Sequence, residues 1–159
     1  MATEVRKDHT DLLTVFRSTP VTLRALLQGI SDEDASRPGP GPEDEWSPAA
    51  IAYHLVHAEE AWLERRVRMM AEQVDPYLPY YDDPDYSRPP RLTESLADFE
   101  RRRMASVAYI EALPGEAWSR TGRHERWGPV TIAWVISHVA AHDAEHLAQI
   151  ARRISAPRH

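Results

Sequence analysis

The sequence predicts an all-α protein, an antiparallel four-helix bundle. Apolar residues recur at helical spacing in four long segments, near 10–30, 48–73, 93–113 and 129–153. Capping and breaking residues stand at the ends of those segments. No segment carries a convincing strand pattern of alternating apolar and polar residues.

In the first segment Leu12, Phe16, Leu23, Leu26, Leu27 and Ile30 form one stripe. Pro20 lies inside it, so Ser18-Thr19-Pro20 marks either a restart, with proline in a first turn, or a kink. Gly29 favours an end nearby. Arg37-Pro38-Gly39-Pro40-Gly41-Pro42-Glu43-Asp44-Glu45 is a loop. Ser47 is a natural N-cap and Pro48 a natural first residue for the second helix. Its inward face is Ile51, His54, Leu55, Ala58, Trp62 and Val67. Residues 75–90 set Tyr77, Tyr80, Tyr81 and Tyr86 among five prolines that forbid regular structure. This loop is either a cover for the open end of the bundle or a solvated linker. The third helix carries Leu96, Phe99, Met104, Val107, Ile110 and Leu113 after Thr93, and Pro114-Gly115 stops it. Residues 117–128 form a loop with Trp118, His124 and Trp127. Pro129 opens the last helix, whose apolar positions are Ile132, Val135, Ile136, Val139, Leu147 and Ile150. Long helices joined by loops pack as a bundle. Trp46 and Trp127 each precede a helix start and are read as core packing rather than as walls of an opening.

A chain of 159 residues forms one domain, 1–159, by default and buries a core without disulfides or a structural metal. A metal here would therefore serve chemistry. Net charge is -6, from 25 acidic and 19 basic residues, with no sustained basic patch, which argues against nucleic acid. The absence of cysteine excludes disulfides, thiolate ligands and a cysteine nucleophile. With no signal-peptide pattern and no apolar run near the roughly 18 residues of a membrane span, the expectation is a cytoplasmic protein without a membrane partner.

The strongest functional signal is His138, His142 and His146 on the last helix. Each four-residue step rotates the chain by only about 40°, so all three rings leave one stripe. Helix neighbours four apart have Cβ atoms roughly 5–6 Å apart, close enough for two imidazoles to reach one metal ion at about 2.0–2.1 Å. The second helix offers His54 and His57. Three neutral imidazoles with an open position match a catalytic metal site. Residue 143 is Asp143, so the glutamate of the zinc-protease signature is missing. Glu145 falls off the stripe and belongs to the surface, and Asp143 reads as a solvated charge or a partner for a first-helix arginine. His57 is a candidate for the pocket wall, Gln149 for holding a ligand or a water, and His124 for the bundle mouth. His9 and His159 are terminal and receive no role.

These residues resemble the DinB family (DinB/YfiT-like) of four-helix bundles over nearly the whole chain. The matching parts are Thr19-Pro20 with the Leu-rich first helix, Trp46-Ser47-Pro48 leading to His54-Leu55, and Gly128-Pro129-Val130-Thr131-Ile132 leading into His138 through Gln149-Ile150. The resemblance implies His54, His142 and His146 as the metal ligands, with His138 on the pocket wall. It also implies a divalent metal, zinc or nickel, and a homodimer. It implies a small-molecule substrate, handled by a thiol transferase that uses a low-molecular-weight thiol or by a hydrolase. The alternative is a non-catalytic metal- or ligand-binding stress-response protein. Because ligating histidine must be neutral, metal-loaded protein is expected to lose stability in mild acid, and metal-free protein to change less.

Overall fold

The computed structural model describes residues 2–42 and 45–155, with side chains from His9 onward. Helix α1 spans Ala2–Leu26 and the short α2 spans Asp32–Ser36. The second long rod has three parts: α3 (Pro48–Ala58), a π-helical stretch (Glu59–Val67) and α4 (Arg68–Glu72). Ser47 caps it, its Oγ accepting the Ala50 N–H at 3.1 Å, and Pro48 fills the first helical position. Helices α5 (Leu92–Glu111) and α6 (Ile132–Ser155) complete the four long rods. No helix among the described residues is long and apolar enough to cross a membrane. His159 lies outside the described residues.

The helical expectation needs one correction, because the fold also contains a small sheet. Strands β1 (Tyr77–Leu78), β2 (Thr121–His124) and β3 (Gly128–Thr131) lie in the order β1-β2-β3. β1 runs parallel to β2, and β3 antiparallel to it. Segments 75–90 and 117–128, read as loops, each supply a strand, and the last helix starts at Ile132 rather than Pro129. Proline removes only its own N–H. Pro129 sits on an edge strand, where that loss is tolerated, and the Pro76 carbonyl still accepts the Arg123 N–H at 2.8 Å. Gly122 lets β2 lie flat on the bundle: a Cβ there would meet Leu78 Cδ1 and Met70 Cγ at 2.9 Å.

Two apolar clusters fill the core and reveal the helix directions. One joins Leu13 and Phe16 of α1, Leu63, Val67 and Met70 of the second rod, Val107 and Ile110 of α5, and Ile132 to Val139 of α6. The other joins Leu23 and Leu27, Ile51 and Leu55, Leu92 and Phe99, and Ile150. Thus α1 and α6 run one way, while the second rod and α5 run the other. This departs from a simple antiparallel bundle. Two consecutive helices pointing the same way need a connection as long as the bundle itself. Residues 73–91 are that connection: Tyr81 contacts Arg65 and Arg66 near the end of the rod, and Tyr86 contacts His54 near its start.

Between the two clusters lies an ionic layer that the stripes did not predict. Arg103 of α5 has no exposed surface, and Glu59 and Asp143 are 1% and 2% exposed. The Arg103 Nε donates to both Glu59 carboxylate oxygens at 3.0 Å, and its Nη2 donates to Oε2 at 2.8 Å. Its Nη1 lies 2.8 Å from Asp143 Oδ2 and donates to the Phe16 carbonyl at 3.4 Å. Pro20 lies inside a continuous α1. It has no N–H to offer the carbonyl four residues back, which is Phe16, so that oxygen is free for Arg103. Asp143 is therefore neither solvated nor paired to the first helix, and Met104, placed on the inward stripe, is exposed. Removing one partner of a buried ion pair leaves an uncompensated charge and costs about 3–5 kcal/mol. Arg103→Met is expected to destabilise the protein by about that amount in urea denaturation, with Glu59→Gln, Asp143→Asn on the same background recovering part of it. A loss comparable to that of a surface arginine would contradict the role of the layer.

Candidate metal centre

His54 on α3 and His142 and His146 on α6 face one another across the gap between the rods. One ring nitrogen from each lies within 4.8 Å of the others, a grouping able to hold a metal ion. The His54 and His142 Nε2 atoms are 2.9 Å apart, and those of His142 and His146 3.2 Å. Burial, followed by the repulsion of His142, pulls the His54 pKa down to about 2, and burial with His146 pulls His142 down to about 3. Both rings are neutral at physiological pH.

The partners of the outer ring nitrogens decide where the protons sit. The His54 Nδ1 is 2.9 Å from the Tyr86 hydroxyl, which also lies 3.2 Å from Asp83 Oδ1. An ionised carboxylate only accepts. The Tyr86 O–H therefore donates to Asp83, and its oxygen accepts from His54 Nδ1–H. Burial, then Asp83, raises the Tyr86 pKa, so the phenol keeps its proton. The His146 Nδ1 faces Gln149 Oε1 at 2.9 Å and likewise carries its proton there. With Nδ1 protonated on both rings, the Nε2 atoms of His54 and His146 present lone pairs to the same point. His142 Nδ1 is buried without a hydrogen-bond partner. Its Nε2 faces both of those lone pairs at 2.9 and 3.2 Å, so in the metal-free protein Nε2–H donates between them, and the other tautomer, with the proton on Nδ1, completes the three-nitrogen donor set a divalent cation requires.

The remaining candidates fall into place around this cluster. Gln149 holds His146. His57 lines a pocket beside the cluster and faces Asp83 at 3.7 Å. His124, at the end of β2, lines the same pocket, and its ring stacks on Trp62 with centroids 5.2 Å apart. His138 is not brought to the cluster; it stacks on Trp134 at 4.8 Å and packs against Trp62 and Trp127. Glu145 is exposed, and His9 stacks on the Trp118 ring. Trp46 packs against the second apolar cluster, as read, whereas Trp127 is exposed, which corrects its reading as core. Trp46 covers His54 and Tyr86 with centroids 4.8 and 4.6 Å away, and the half-exposed Trp127 lines the pocket. Both rings are held at the opening because the strap of residues 73–91 and the β2–β3 hairpin cover this side of the bundle. Sequence reasoning missed Tyr86 as an individual partner, Asp83 behind it, and Arg66 in the pocket wall. Only the tyrosine-rich composition of the strap signalled the first.

A family profile of the DinB superfamily matches residues 16–150. YfiT from Bacillus subtilis, described as a probable metal-dependent hydrolase with an unusual four-helix bundle topology, has a similar structure. Its TM-score is 0.80 at 17% sequence identity, over 91% of this chain and 84% of that one. No curated protein matches the chain. The structural likeness is one of fold.

The depressed histidines revise the acid response. For His54 and His142 the folded pKa lies below the unfolded value of 6.5. Between those values the unfolded chain binds more protons, so stability is present above pH 6.5 and is lost as pH falls toward 3. Burial and mutual repulsion produce this without any metal, so metal-free protein has an acid response of its own beside the one expected of metal-loaded protein. Metal-free protein is expected to lose melting temperature steadily from pH 7 to pH 4, and a His54→Gln, His142→Gln variant to lose less across the same range. Parallel profiles for the two would contradict the shifts.

Proposed function

The chain belongs to the DinB superfamily, and on that premise we propose that it is a divalent-metal-dependent enzyme acting on a small molecule. In this reading His54, His142 and His146 are the ligands, and zinc or nickel is the ion. The observation that carries it is the convergence of the three Nε2 atoms, with the Nδ1 protons of His54 and His146 fixed on Tyr86 and Gln149. When bound, the ion supplies Lewis acidity that makes a coordinated water or thiol a nucleophile near neutral pH. The chain has no cysteine, so a thiol nucleophile would come from a low-molecular-weight cosubstrate. The reaction is a thiol transfer or a hydrolysis at an electrophilic centre; the description of YfiT as a probable metal-dependent hydrolase supports the second.

The protein's own residues supply position and exclusion. Asp83, through Tyr86, holds the proton on His54 Nδ1 and keeps that ring aimed inward. Gln149 does the same for His146. Asp143, next in sequence to His142, is anchored by Arg103 and so fixes the turn of α6 that carries two of the rings. Trp46 and the strap tyrosines screen the cluster from bulk water. A pocket of about 120 Å³ reaches His54 and His142 and provides room for a small substrate.

Calorimetric titration with zinc and with nickel is expected to give one bound ion per chain. A His142→Ala, His146→Ala variant should lose it, and Tyr86→Phe should weaken it by roughly 10–100-fold, the usual effect of removing a partner behind a ligand. His138→Ala should leave affinity nearly unchanged. Full occupancy in the double variant would overturn the ligand assignment.

A further inference from the structure

We infer that the pocket beside the histidine cluster is a carboxylate subsite, in which Arg66 and His124 grip the acid group of the small-molecule substrate. This rests on the reading of the cluster as the reactive centre and names the chemistry of what reacts there.

Arg66 lies in the π-helical stretch and is 3% exposed. Its guanidinium is sandwiched over the Trp62 and Tyr81 rings, 4.3 and 4.8 Å from their centroids. Nη2 donates to the Pro79 carbonyl at 2.7 Å, while Nε is buried without a hydrogen-bond partner. No carboxylate among the described residues forms an ion pair with it within 4.0 Å. The contrast with Arg103 is direct: that guanidinium, with no exposed surface, has two carboxylates beside it. A buried cation with no counterion is costly unless something else provides the charge.

His124 adds a second donor. It is 4% exposed, and its Nδ1 accepts the Arg126 backbone N–H at 3.0 Å. Burial, then Arg66, pulls its pKa down to about 4, so the ring is neutral and its one proton sits on Nε2. That Nε2 is also buried without a partner. Arg66 and His124 thus line the same pocket, and each carries an unused buried donor, Nε–H and Nε2–H, one of them on a cation. The acids nearby are engaged. Asp83 accepts from the Tyr80 and Tyr86 hydroxyls at 3.2 Å each, and Glu125 accepts the Tyr80 backbone N–H at 2.8 Å. The pocket holds only about 120 Å³, which suits an acid group of a few heavy atoms. A flat carboxylate matches the planar guanidinium edge and slides between aromatic walls, and the rest of the molecule then extends toward His54 and His142.

The test uses acetate and propionate as probes, with acetamide and propionamide as their uncharged counterparts. In wild-type protein the ¹⁵N-bound proton resonances of Arg66 Nε and His124 Nε2 are expected to move with either carboxylate and to stay with the amides. Arg66→Gln should weaken propionate binding, followed by tryptophan fluorescence, by roughly tenfold or more. Arg66→Lys, which keeps the charge but lacks Nε–H, should recover only part. Resonances that stay in place at saturating carboxylate, or an Arg66→Gln variant that binds propionate as wild type does, would overturn the subsite. The wild-type resonances decide even where the variant fails to fold. Each probe is run with and without zinc. Propionate binding in protein that takes up no zinc would sink the metal reading and leave the subsite standing; zinc uptake without propionate binding would do the reverse.

Discussion

The bundle depends on one buried guanidinium. Arg103 touches Glu59 on the second rod, Asp143 on α6 and the Phe16 carbonyl on α1, so all four long helices meet at one residue. Burial works against its charge, and Glu59 and Asp143 more than offset that, leaving its pKa above the ordinary value. Burial pushes the two carboxyls up, with Arg103 pulling each back. Such a layer adds little net stability over an apolar core. Its effect is on register: only one sliding position of the helices brings all the partners together. Pro20 contributes by freeing the one backbone carbonyl the guanidinium needs.

Register matters because the histidine cluster is built across helices. His54 sits five residues before Glu59, and His142 immediately precedes Asp143. The layer that pairs Glu59 with Arg103 and Asp143 therefore also sets the distance between the two sides of the cluster. The strap completes it. Because the second rod and α5 run in the same direction, residues 73–91 must travel the length of the bundle, and that path carries Tyr86 to His54 and Tyr81 to Arg66. A topological requirement thus places the phenol that orders the first ligand candidate and the ring that shields the pocket arginine.

Much of this was readable from the residues. The four long helices, the Ser47-Pro48 start and the Pro114-Gly115 stop follow from local chemistry that tertiary packing leaves intact. Helical spacing drew attention to His138, His142 and His146, of which only the last two join the cluster; His54, which completes it, was marked by the family motif. The failures have physical causes. Tyr77-Leu78 is too short to show a strand pattern and exists only because β2 lies beside it. The parallel pairing of the second rod with α5 depends on which faces meet, which periodicity along one chain does not contain. The π-helical stretch departs from the 3.6-residue period that the stripe reading assumed; the inward positions Trp62 and Val67 stand five apart, a spacing that hinted at it. Glu59, Arg103 and Asp143 each fall on an otherwise apolar stripe, and three such charges on three stripes were the missed signal for a buried ionic layer.

The central claim is that the protein, through Tyr86 and Gln149, holds the His54 and His146 protons on Nδ1 and leaves their Nε2 lone pairs facing one point. Long-range ¹H–¹⁵N correlation spectra of the imidazole rings in metal-free protein at neutral pH measure this directly. The account predicts Nδ1–H on His54 and His146, and Nε2 resonances that shift together when one equivalent of zinc is added. Either of these two rings protonated on Nε2 rather than Nδ1 would contradict it.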